Sequence, residues 1–158
     1  MYHGSMLPQP KRSDDVPALT PTLDFLRLLW RIENGLQRTS KRMEAAIGIT
    51  GPQRLVLKVV RQFPGLTASE LAHIVRLHPS TITGVVQRLE RKGLLARVRD
   101  AEDQRRVHLT LRRQAHRLAD RSRGTVEAAV EQVLARIAAA RVDHARQVLS
   151  AIADALET

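Results

Sequence analysis

Apolar side chains along this chain recur mostly at intervals of three and four, the spacing of helices buried on one face. From Thr22 to about Ala46, the residues Leu23, Leu26, Leu29 and Trp30, continued by Ile47, trace a broad stripe, while Arg27, Arg31, Arg38, Lys41 and Arg42 occupy other faces. A long first helix is expected there. Thr50-Gly51-Pro52-Gln53 has the capping-box pattern, in which the threonine hydroxyl accepts from the backbone three residues on and that residue's side chain reaches back. The helix it opens carries Leu55, Val56, Val59, Val60 and Phe63 as its expected buried set, and Pro64-Gly65 ends it. A second box, Thr67-Ala68-Ser69-Glu70, starts a short helix at Ala68 with Leu71, Ile74 and Val75 turned inward. After a turn within Arg76 to His78, Pro79 suits the first position of another helix, where no N–H is needed. Ile82, Val85, Val86 and Leu89 then fall at i, i+3, i+4 and i+7.

The period changes after Gly93, an expected helix C-cap. Leu94 to Val98 is a short apolar run, and Val107, Leu109 and Leu111 alternate with Arg106, His108 and Thr110. Two strands should pair as a hairpin, with the charged loop Arg99-Asp100-Ala101-Glu102-Asp103-Gln104-Arg105 as a wing. Helical spacing then resumes in Val126, Val130, Val133, Leu134 and Ile137, and again in Ala145, Val148, Leu149, Ile152, Ala153 and Leu156. The expected fold is mainly α with a small β-hairpin wing, an α+β winged helix-turn-helix. A hairpin has no core to offer the terminal helices, so their apolar faces must cover the first helix or a second subunit.

The helix opened by Pro79 leaves Ser80, Thr81, Thr83, Gly84, Gln87 and Arg88 on its outward face. Short hydroxyls, a missing side chain, an amide and a guanidinium approach base edges and phosphates closely and hydrogen-bond to both. Charge points the same way. From Arg88 to Arg113 there are nine basic residues, Arg91, Arg105 and Arg106 among them, and four acidic ones. Those residues carry +5, half of the chain's formal +10, where the geometry would present it to a phosphate backbone.

Two segments together resemble the MarR family of transcriptional regulators. One is Ser80-Thr81-Ile82-Thr83-Gly84-Val85-Val86-Gln87-Arg88-Leu89-Glu90-Arg91-Lys92-Gly93-Leu94-Leu95, similar to that family's recognition helix and the approach to its wing. The other is Asp100-Ala101-Glu102-Asp103-Gln104-Arg105-Arg106-Val107-His108-Leu109-Thr110, similar to its D-x-x-D-x-R wing signature and following strand. By order of elements the resemblance covers roughly residues 20 to 157. It implies that Arg105 enters the minor groove and that Asp103 orients it; Gln104 stands where relatives often carry a base. It also implies a homodimer through the terminal helices, with two recognition helices about 34 Å apart on a pseudo-palindromic double-stranded operator. A repressor released by a small aromatic or phenolic acid is the implied function.

In a crevice, such an acid needs a ring partner and a cation. Arg27, Trp30, Arg31 and Asn34 fall at 0, +3, +4 and +7 on the first helix and are the candidate ligand residues; the alternative is a core tryptophan among solvated arginines, or arginines paired with Glu33 and Glu44. Histidines 73, 78, 108 and 144 match no standard ligand spacing, so neither metal nor cofactor is expected. The chain has no cysteine, which removes disulfides and a thiol switch. No run approaches a membrane span or a signal-peptide core, so a cytoplasmic location is expected. Residues 1–21 read as a flexible arm rich in Pro, Ser and charge, with Gly4-Ser5 before a second methionine read as a cloning remnant and Lys11 and Arg12 as solvated. Residues 22–158 then form one domain, with 22–47 and 112–158 as dimerisation helices and 50–111 as the winged helix-turn-helix. No phosphate loop, nucleophile elbow or HExxH occurs, and no enzyme is expected. The competing reading is an architectural or non-specific nucleic-acid-binding protein without a ligand.

Overall fold

The computed structural model describes residues 18–157, so most of the expected arm, with the solvated Lys11 and Arg12, lies outside the described residues. The order of elements is α1 (Pro21–Ile47), α2 (Gly51–Gln62), α3 (Ala68–Val75), α4 (Pro79–Arg91), β1 (Leu95–Arg99), β2 (Val107–Leu111), α5 (Arg113–Asp120), α6 (Val126–Leu134) and α7 (Ala139–Leu156). The chain divides into two compact bodies, Met1–Asn34 and Gly35–Thr158. In the first, the described part is the opening half of α1. Of the expected stripe there, Leu29 is half-buried, whereas Leu23, Leu26 and Trp30 are exposed.

The second body holds the core. Both capping boxes form: Thr50 with Gln53 at the start of α2, and Thr67 with Glu70 at the start of α3. All four inward residues of α4 are buried, joining Ile49, Leu57, Leu71, Leu94, Leu95 and Leu109 in one cluster. β1 and β2 pair antiparallel with Arg97 opposite Leu109, and the Leu109 N–H donates to the Leu66 carbonyl at 2.7 Å, which ties the hairpin to the loop before α3. Gly93 sits at φ 65°, the left-handed conformation that ends a helix and that glycine adopts without a Cβ penalty.

Several expected faces are corrected. On α2 the buried residues are Val56, Leu57 and Val60, with Gln53 and Arg54, while Leu55 and Phe63 are exposed and Val59 is half-buried. Five of the six positions from Leu55 to Val60 are apolar, so two stripes compete, and the one at 53, 56, 57 and 60 wins the core. On α3, Leu71 and Ala72 are buried and Ile74 is exposed. β1 starts at Leu95 rather than Leu94, and Ile137 lies beyond the end of α6, in the break before α7. The helix α5 fills a stretch for which no separate element was expected, and its Ala115 joins the winged-helix core beyond Leu111. Neither α6 nor α7 contains a buried residue.

Candidate nucleic-acid interface

The turn between α3 and α4 is built by backbone geometry. Arg76 ends α3 in the left-handed region at φ 50°, which costs a non-glycine residue about 1 kcal/mol or more. The Leu77 N–H returns to the Ala72 carbonyl at 3.2 Å. His78 then caps α4, its Nδ1 accepting from the Ser80 backbone at 3.3 Å and lying 2.7 Å from the Ser80 hydroxyl. The sequence reading passed over His78 because histidine is not among the preferred capping residues.

On α4 the expected division of faces is clear. Ile82, Val85, Val86 and Leu89 are at most 3% exposed, while Ser80, Thr81, Thr83, Gln87, Arg88 and Arg91 are exposed and Gly84 is half-buried. The Thr83 hydroxyl donates to the Pro79 carbonyl at 2.9 Å, so it faces outward as an acceptor beside a methyl group. The Arg88 guanidinium lies over Gly84: a Cβ built there would stand 3.8 Å from both its terminal nitrogens. A Cβ at position 84 would make ordinary van der Waals contact with that guanidinium.

The wing is held by its own carboxylates. Asp100 Oδ1 accepts from the Glu102 and Asp103 backbone N–H groups at 2.8 and 3.0 Å, and Asp103 Oδ1 accepts from the Arg105 N–H at 3.0 Å. Arg105 and Asp103 are exposed, and among the described residues nothing pairs with the Arg105 guanidinium. Arg106 behaves differently. It pairs with Glu70 of α3 at 2.8 Å and so joins the wing to the helix-turn-helix. The Glu70 carboxyl is held below its ordinary range, first by the Thr67 backbone N–H and hydroxyl and then by Arg106. Two further links were absent from the sequence reading: Arg97 of β1 with Glu90 of α4 at 3.2 Å, and Lys92 Nζ on the Gly48 carbonyl at 2.7 Å and Gln53 Oε1 at 3.0 Å.

His108 is the remaining wing residue missed in sequence. Its Nδ1 lies 2.5 Å from the Gly65 carbonyl and its Nε2 2.5 Å from Asp100 Oδ2. Both partners only accept, so satisfying both requires an imidazolium. The Asp100 hydrogen bond, with the Gly65 carbonyl and the Asp100 charge, raises the His108 pKa above 6.5 against desolvation and the Arg106 charge. Asp100 is driven far below its ordinary range, chiefly by His108 and then by the two loop N–H groups. A raised histidine pKa contributes stability that is complete below about 6.5 and is lost as pH rises through the folded value. The Asp100 contribution is present above about 3.8 and is lost only in strong acid. We therefore expect the Glu102 and Asp103 amide resonances to shift with a midpoint above pH 6.5 in an NMR titration, and His108→Gln to abolish the step. A midpoint at or below 6.5 would contradict the tether.

The candidate ligand residues Arg27, Trp30, Arg31 and Asn34 are all exposed, Trp30 by 61%, and Arg27 pairs with Asp24 at 2.5 Å. Trp30 is thus not a core residue. The second body contains a cavity of about 1130 Å³ lined by later turns of α1, from Leu36 to Glu44, by the start of α2 and by α6; none of the four residues lines it. Leu55, the apolar residue of α2 that the core does not take, faces this cavity, together with Leu36, Leu77, Val130 and Leu134. Among the described residues, no group of three histidine or carboxylate side chains is placed to hold a metal ion, and no helix is long and apolar enough to cross a membrane.

A sequence model of the MarR family matches residues 49–107. An HTH-type transcriptional repressor of Mycobacterium tuberculosis is 32% identical over 112 residues, 71% of this chain and 81% of that one. The structure of the PcaV transcriptional regulator of Streptomyces coelicolor in complex with its natural ligand is similar with a TM-score of 0.68 and 30% identity, covering 89% of this chain and 99% of the other. CouR of Rhodococcus jostii RHA1 bound to p-coumaroyl-CoA gives the same TM-score at 26% identity, over 86% of this chain and 96% of its own.

Proposed function

The chain belongs to the MarR family, and we propose that it is a homodimeric transcriptional repressor that binds a pseudo-palindromic operator and is released by a small aromatic or phenolic acid. The division of α4 carries the DNA-binding part: one face is at most 3% exposed, and the opposite face presents hydroxyls, an amide and guanidinium groups. We assign Thr83 and Gln87, one turn apart, to base edges. Arg88, Arg91, Ser80 and Thr81 take phosphates, and Arg105 takes the minor groove with Asp103 holding the loop behind it. Arg106, already paired with Glu70, positions the wing and contributes charge.

The effector part rests on the cavity. Its volume is on the scale of small-molecule sites, its wall is mostly apolar, and it joins α1 and α6 to α2, the helix that supports the reading unit. Two relatives of this fold hold ligands, PcaV its natural ligand and CouR p-coumaroyl-CoA. We place the acid in the cavity rather than on the exposed stripe of Arg27, Trp30, Arg31 and Asn34, because a concave, mostly apolar site buries most of a small ligand.

A footprint on the promoter region next to the chain's own gene, repeated with benzoate and hydroxycinnamate, tests both parts. The expected result is a discrete palindromic protection that an aromatic acid removes. Uniform coverage of unrelated DNA would favour the architectural reading instead.

A further inference from the structure

Arg54 is a cation buried where the α2 pattern expected none. Its side chain is 1% exposed. The guanidinium faces the C-terminal end of α5, with Nη1 donating to the Leu118 carbonyl and Nη2 to the Ala119 carbonyl, at 3.3 Å, and to the Arg121 carbonyl. Those carbonyls lie in the last turn and C-cap of α5, the negative end of a helix, a site that favours a cation; the Leu118 carbonyl also accepts from the Arg121 N–H at 3.3 Å. The fourth partner differs in kind: Nε donates to Glu127, in the first turn of α6. The Glu127 side chain is 37% exposed and lines the cavity.

These contacts are not equally replaceable. The three carbonyls are main-chain atoms fixed by α5. Glu127 is the one partner that a rotamer change can withdraw, and its side chain lines the cavity. Yet an arginine keeps its proton at any physiological pH, and a buried guanidinium left without a counter-charge is strongly unfavourable. The position on Nε can therefore be exchanged but not vacated, and the group that replaces a carboxylate like for like is another carboxylate. Lys58, one turn after Arg54 on α2, lines the same cavity as Glu127.

We propose that Arg54, which lies behind the cavity wall and is reached through Glu127, is the carboxylate-recognition group for the cavity and that Glu127 is its built-in stand-in: an acid with an apolar body binds by taking the place of Glu127 on Arg54 Nε. The exchange removes the side-chain link between α2 and α6 and replaces it with a ligand, so occupancy is felt at the helix that supports the reading unit. This inference rests on reading the cavity as the effector site, and it names the chemistry of that site.

Glu127→Ala tests it. The variant should melt several degrees lower than wild type, and acetate or benzoate, but not chloride at equal ionic strength, should restore much of the loss. Benzoate should bind the variant at least tenfold more tightly than wild type by calorimetry, because it no longer competes with a tethered carboxylate. Glu127→Gln keeps an acceptor oxygen on Nε but no charge, and should show a smaller acetate rescue than Glu127→Ala. In wild-type crystals soaked with benzoate, the carboxylate should lie on Arg54 with Glu127 turned away. Equal benzoate affinity in wild type and Glu127→Ala, or a soaked benzoate remote from Arg54, overturns the inference. The two readings fail separately. If aromatic acids release the operator while Glu127→Ala gains nothing, the repressor reading stands and the Arg54 site falls; if Glu127→Ala gains carboxylate binding while no acid releases the operator, the reverse holds.

Discussion

Replacing Leu149 and Ile152 with aspartate is expected to convert a dimer at micromolar concentration into monomer or unfolded chain. Within one chain no residue of α7 is fully buried: Leu149 is 44% exposed, Val148 47% and Leu156 78%, and Ile152 is half-buried. On α6, Val130, Val133 and Leu134 are exposed to a similar degree. Contiguous apolar surface of this kind marks an association face, and the proposed homodimer would cover it. An aspartate buried in that interface is taken out of water, so each replacement should cost several kcal/mol after relaxation. Sedimentation analysis reads the outcome directly, and a melting curve separates monomer from unfolded chain. A wild-type protein that sediments as a monomer would refute the dimer, and with it the paired recognition helices.

What was legible in the sequence was local. Both capping boxes and the inward stripe of α4 are decided by residues within one or two turns, and they form as the spacing implies. Where apolar residues crowd, as at Leu55 to Val60, period alone cannot choose between neighbouring stripes; the choice needs the tertiary neighbours. The helix α5 was illegible because it packs through Ala115 and Ala119, which carry little hydrophobic signal. Arg54 was invisible for a related reason: a charge on a helix reads as solvent-facing, and its partners lie 64 or more residues away. The wing signature showed which residues to watch, but not that His108 closes onto Gly65, 43 residues earlier in the chain. The stripe of Arg27, Trp30, Arg31 and Asn34 does not line the cavity beside α2 and α6, and helical spacing by itself places side chains on one face without saying what that face meets.

Arg105→Ala should weaken operator binding by about 1 to 3 kcal/mol, roughly 5- to 150-fold, and leave the melting temperature unchanged. The side chain is exposed and, among the described residues, unpaired, so the folded chain loses no contact when it is removed. Its backbone N–H, which donates to Asp103, survives in alanine, so the wing keeps its shape. Arg106→Ala is the control with the opposite signature. It breaks the pair with Glu70 and frees the wing from α3, and it should weaken all DNA sequences alike rather than the groove contact alone. Measuring both variants over a range of salt separates a lost groove reader from a lost charge, since each phosphate neutralised contributes about one unit to the salt slope. An Arg105→Ala protein that binds the operator as tightly as wild type, with an unchanged melting temperature, would remove the wing from the DNA-reading surface and leave α4 to carry it alone.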